Sequence, residues 1–89
     1  MFTPIYTKQF NKDLKKIQGS GLHDIEKLKI IIKKLLNNER LDTKHKDHSL
    51  TGNYNARREC HITPDWLLIY KKEKTCIIFE RTGNHSELF

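Results

Sequence analysis

The apolar residues of this chain change their spacing once, near residue 54, and that single change limits the folds open to it. Before it, hydrophobic side chains recur at intervals of three and four; after it, they fall into short runs with a period near two. The first spacing buries one stripe of a helix and the second one face of a strand. The helical half precedes the strand half. That order predicts an α+β domain in which helices cover one side of a sheet.

The helical half contains two elements. Thr7 can cap a helix in which Phe10, Leu14 and Ile17 form one stripe while Lys8, Lys12, Lys15 and Lys16 face water, and the glycines of "QGSG" end it. A second helix over 22–38 carries Ile25, Leu28, Ile31, Ile32, Leu35 and Leu36, a stripe wide enough to lie on a sheet. Ahead of both, "FTPIYT" is a short extended segment. Residues 37–53 are polar and read as a long loop of the kind that often carries function. Then "NARRECHI", "WLLIYKK" and "TCIIFER" read as strands joined by the turn "TPD" and the link "KKEK". The expected order is β-α-α-β-β-β, an antiparallel sheet with two helices on one side, in a single domain over residues 1–89.

A net charge of +6 and a pI near 9.4 point to a polyanionic partner, since Lys and Arg that neutralise phosphates release counterions. A solvated basic surface serving solubility is the plainer alternative. No apolar run approaches the ~18 residues of a membrane span, and "MFTPIYTKQF" lacks the layout of a signal peptide. The expected location is the cytoplasm. Cys60 and Cys76 both fall in apolar strands and read as small core residues.

Side chains suited to acid–base chemistry gather in the second half: His48, His61, Asp65, Arg81 and His85. If an antiparallel sheet brings them to one end, they match what metal-free RNA cleavage needs. That reaction calls for a base for the 2′-hydroxyl, an acid for the leaving 5′-oxygen and a cation against the phosphate. Each also has a plain reading. His48 can bond within its turn to Asp47 or Ser49, His61 can pair on its strand face with Glu59 or Arg57, and Asp65 can serve a turn. Arg81 can pair with Glu80 or Glu87, and Trp66 can be core. His85 is hardest to explain as structure, standing beside Gly83 and Asn84 near the end of the chain. His23 and His45 read as solvated. His45, His48, His61 and His85 offer imidazoles for zinc, but H-x₂-H alone is weak support for a site.

Taken together, "KDHSLTGNYNARRECHITPDWLLIYKK" and "FERTGNHSELF" resemble the YafQ-like branch of the RelE/ParE toxins of bacterial toxin–antitoxin systems. The resemblance implies a compact α+β fold and a ribosome-dependent mRNA endoribonuclease, silenced by an antitoxin that is acidic and partly disordered when free. It implies catalytic roles for His48, His61, Asp65, Arg81 and His85, with His85 the general acid and Arg81 facing the phosphate. Trp66 and Phe89 would stack on mRNA bases, Arg57, Arg58 and Lys46 would contact RNA on the ribosome, and no cofactor would be needed. A ParE-like protein that inhibits a protein target such as gyrase is the alternative, and a basic RNA-binding module a third.

Overall fold

The computed structural model of the chain describes residues 1–52 and 56–89. The expected start of the first strand-like run, "NARRECHI", at Asn55 lies outside the described residues. The elements are β1 (Thr3–Tyr6), α1 (Lys8–Ser20), α2 (Ile25–Leu36), a 3₁₀ turn (Thr43–His45), β2 (His48–Ser49), β3 (Arg58–Thr63), β4 (Trp66–Lys72), β5 (Cys76–Gly83) and α3 (His85–Leu88). Thr7 caps α1 as its position predicts, accepting from the Phe10 amide at 3.0 Å. Gly21, with φ +67°, closes that helix in the left-handed conformation, whereas Gly19 continues it. α2 is shorter than the stripe of residues 22–38, because the Asp24 side chain accepts from the Glu26 amide and starts the helix there.

The sheet has the order β1-β5-β4-β3-β2. β3, β4 and β5 form the expected antiparallel meander, with Pro64 and Asp65 at the tip of its first hairpin. β1, however, lies parallel to β5, pairing Thr3 with Cys76 and Tyr6 with Phe79, so the sheet is mixed. A strand separated from the others by two helices carries no turn to fix its direction. Its place follows from the helices, whose crossover returns the chain to the far edge of the meander. The long loop also contributes β2, which pairs His48 with Glu59.

One face of the sheet holds the main core. Cys60, Ile62, Trp66, Leu68, Tyr70, Ile77 and Phe79 meet Phe10, Ile17, Leu28, Ile31 and Leu35 from the two helices. Each fully buried side chain of this size contributes roughly 1.5–3 kcal/mol. Burial pushes the Cys60 thiol far above its ordinary range, in keeping with a core residue. The opposite face carries a small second cluster in which Leu88 of α3 packs on Leu67 and Ile69, with Leu50 beside them. β4 is therefore covered on both sides, which explains its unbroken apolar run. Toward β3 and β2 this second face is polar, while toward β1 it carries Ile78 and Ile5.

Candidate active site

The strand alternation that sends Cys60 and Ile62 into the core sends Glu59 and His61 to the second face. His48 joins them because β2 pairs it directly with Glu59. Glu59 is only 5% exposed. Its Oε1 lies 3.6 Å from His48 Nε2 and 3.5 Å from His61 Nε2, so one buried carboxylate stands between two imidazoles. His48 Nδ1 faces the Lys46 carbonyl and His61 Nδ1 lies 3.4 Å from the Pro64 carbonyl, which turns both Nε2 atoms toward Glu59. The spacing of Glu59 and His61 on one strand face was visible as a polar pair. What the sequence did not reveal is that Glu59 is the shared partner.

His61 adjoins the Pro64–Asp65 turn, and that turn forms one wall of a cleft of about 530 Å³. His85 forms another wall, so Asp65 and His85 face a common space. His85 sits there because the closing stretch is not a loose tail. Asn84 caps α3: its Oδ1 accepts from the Glu87 amide at 2.8 Å, while Glu87 Oε1 accepts from the Asn84 amide at 2.9 Å. The reciprocal N-x-x-E spacing was the available signal for this helix. Gly83 is a buried residue of β5 rather than a flexible hinge, and a Cβ there would lie 3.1 Å from Glu87 Oε1. Lys16 on α1 pairs with Glu87 at 2.8 Å and ties α3 to the body. Backbone bonding to Asn84 and the Lys16 charge hold the Glu87 carboxyl below its ordinary range. The Phe89 ring stands 4.9 Å from the His85 ring and is 54% exposed.

Arg81 is pinned from a different direction. β1 covers the edge of β5 only as far as Phe79, and beyond it the carboxylate of Asp13 on α1 takes over. Asp13 Oδ2 accepts from Arg81 Nε at 2.8 Å and from the Thr82 amide at 3.1 Å, while Oδ1 accepts from Arg81 Nη2 at 3.2 Å. The pairing with Glu80 or Glu87 weighed from the sequence is thus made with Asp13, 68 residues away. A cleft of about 280 Å³ beside it is lined by Arg81, Lys12, Lys16 and Glu87.

Trp66 is a correction. It is 0% exposed, its Nε1–H donates to Thr82 Oγ1 at 2.8 Å, and it has no surface on which to stack a base. A ring starting a strand with its N–H satisfied inside is core. His23 and His45 are corrections of the opposite kind. The His23 ring lies on Trp66 with centroids 4.6 Å apart, and His45 Nδ1 meets the His61 carbonyl at 2.6 Å. The basic candidates divide between faces. Arg57 bonds Glu80 at 2.7 Å across the sheet. Arg58, one residue on, turns the other way to Asp47 at 3.2 Å and to Ser49, and Asp47 also accepts from the Tyr70 hydroxyl at 2.7 Å. Burial and that bond push the Tyr70 phenol well above its ordinary range. Lys46, exposed, joins Arg40, Asp47 and Arg58 around a separate cleft of about 360 Å³. Among the described residues, no three His, Cys, Asp or Glu side chains are arranged to hold a metal ion.

A sheet with one face closed by α1 and α2, and with two histidines around a buried carboxylate on the part of the other face that α3 leaves open, defines a small basic α+β protein. A model of the family described as "Bacterial toxin of type II toxin-antitoxin system, YafQ" matches residues 2–89, and the chain belongs to that family. It is 42% identical over 85 residues to the mRNA interferase toxin YafQ of Escherichia coli (strain K12), spanning 94% of this chain and 91% of that protein. The crystal structure of YafQ from E. coli strain BL21(DE3) superposes with a TM-score of 0.93 at 39% identity, covering 100% of this chain and 99% of that one. YafQ in the E. coli DinJ–YafQ toxin–antitoxin complex gives a TM-score of 0.91 at 40% identity, over 99% of this chain and 97% of that one.

Proposed function

We propose that this toxin acts as one domain over residues 1–89 in the cytoplasm, where it cleaves mRNA on the translating ribosome and is silenced by an antitoxin made with it. The observation that carries the chemistry is the row of titratable groups across the uncovered face. It runs from His48 through buried Glu59 to His61, then past the Pro64–Asp65 turn to His85. The 42% identical relative named as an mRNA interferase supports the substrate, and the DinJ–YafQ complex supports the antitoxin. Among the described residues, no helix is long and apolar enough to cross a membrane.

In this reading a base removes the proton from a ribose 2′-hydroxyl, the 2′-oxygen attacks the adjacent phosphorus, and the bond to the 5′-oxygen breaks as that oxygen takes a proton. The products are a 2′,3′-cyclic phosphate and a 5′-hydroxyl. His85 is the general acid, held by α3 at the cleft. Asp65, His48 or His61 is the base, with Glu59 orienting both imidazoles; histidine serves either role near neutral pH. Arg81, its plane fixed by Asp13, opposes the charge growing on the phosphate. Phe89 stacks on a base. Arg57, Arg58 and Lys46 contact RNA backbone, and supply most of their effect through long-range charge. Side chains so spread over one face gain most of their rate from a substrate positioned by a partner, which is the role given to the ribosome.

Expression without the antitoxin tests this. Growth should stop, and primer extension on translated messages should reveal new 5′ ends that are absent with His85→Ala. Intact mRNA together with altered DNA supercoiling would transfer the protein to the gyrase-type reading. The antitoxin should co-purify when the two genes are expressed together, its acidic segment drawn to the +6 charge of the toxin.

A further inference from the structure

The resemblance gave a base-stacking role to Trp66, yet that indole is wholly buried and the ring above it belongs to His23. His23 stacks on Trp66 at 4.6 Å with an interplanar angle of 23°. It lines the same 530 Å³ cleft as Asp65 and His85, whereas Trp66 does not. The indole is itself locked by its bond to Thr82, so the imidazole rests on a rigid base. Leu22, 81% exposed, and Pro64 supply apolar walls, and Asn84 supplies a polar rim.

A flat conjugated ring on a rigid support, apolar walls and a few polar groups are the features that accept an unstacked nucleobase. We propose that this cleft is a nucleobase subsite beside the scissile phosphate, with His23 as its stacking surface and Leu22 as its outer wall. The proposal rests on the RNA-cleaving reading for the identity of the ligand, since Asp65 and His85 are the groups assigned to that reaction. An RNA base is favoured over a segment of antitoxin because the cleft is shared with both of those groups. His23 lies in the α1–α2 connection, far in sequence from the remaining site residues, and meets the site through the indole and the cleft.

The test has two arms. In the first, non-cleavable 2′-O-methyl RNA trinucleotides are titrated into the wild-type protein while the His23, Leu22 and Asn84 NMR signals and the fluorescence of Trp66, the one tryptophan, are followed. Shifts centred on His23 are expected, with a change in indole emission. In the second, cleavage on programmed ribosomes is measured for His23→Ala and His23→Phe. The alanine variant should lose about 10-fold in kcat/KM, chiefly through KM, and the phenylalanine variant should stay within about threefold of wild type. Trinucleotide shifts that avoid His23, or a His23→Ala protein with unchanged kcat/KM, would overturn the subsite. If the wild-type protein cleaves no translated mRNA while trinucleotides still shift His23, the subsite stands and the ribosomal reading fails.

Discussion

Asp13→Ala should be among the most damaging single truncations outside the apolar core, and the reason can be worked from its partners. The carboxylate receives the Arg81 Nε and Nη2 hydrogens, the Thr82 amide and the Gln9 side-chain amide. Thr82 is 2% exposed, so its amide would be left buried and unpaired, at a cost of about 1–3 kcal/mol. The Arg81 side chain is 26% exposed and water would recover part of its loss, leaving about 1 kcal/mol. Gln9 is exposed and adds nothing appreciable. The sum is about 2–4 kcal/mol, which for a domain of this size lowers Tm by about 10–30 °C. Melts followed by circular dichroism give the first number, and urea titrations with an unchanged m-value verify that it reflects stability. Gln9→Ala is the control and should stay within about 0.5 kcal/mol of wild type. An Asp13→Ala protein melting within about 3 °C of wild type, where ~1 kcal/mol is worth 4–8 °C, would refute the idea that this carboxylate replaces β1 along the open edge of β5.

His85→Ala should lose roughly 10²–10⁴-fold in single-turnover cleavage on ribosomes, with little change in Tm because His85 is exposed; deleting Phe89 should weaken cleavage, again without unfolding. Glu59→Gln should lower cleavage by about 10²-fold through misplaced imidazoles, read as a fall in kcat. The docking of α3 should depend on pH in a defined direction. Glu87 has a folded pKa below its ordinary 4.5, so its contribution is complete above that value and is lost as pH falls through the lower folded one. Amide signals of residues 85–88 should report this local fraying, and Glu87→Gln should abolish the transition.

Much of this fold is legible in the spacing of apolar residues, because burial of a stripe or a face is a local demand on sequence. Thr7, the stripe from Phe10 to Ile17, the Pro64–Asp65 turn and the run from Trp66 to Lys72 each dictate a local conformation that no distant contact needs to supply. Where a local rule was present but short, as in the Asn84–Glu87 capping box, the element was easily passed over: four residues of helix leave no period to read. The histidines, Asp65, Arg81 and the closing phenylalanine also stand out by type and motif. Their chemical class is a property of the sequence.

Their partners are not. Asp13 meets Arg81 across 68 positions, and Glu59 holds two histidines brought together only by strand register. Such pairings depend on which edge a strand joins and on which face a side chain leaves the sheet. A shift of one residue would send Glu59 and His61 into the core and Cys60 out. Trp66 and His23 make the same point from the side of burial, since an aromatic at the start of a strand reads alike whether its face is open or roofed. The sequence by itself determined the elements, the basic charge and the supply of acid–base groups, all of which follow from local spacing and composition. The tertiary structure alone decided that β1 runs parallel to β5, that Asp13 seals the edge β1 leaves open, and that the ring at the surface of the cleft is His23, because each depends on contacts between segments that no local rule connects.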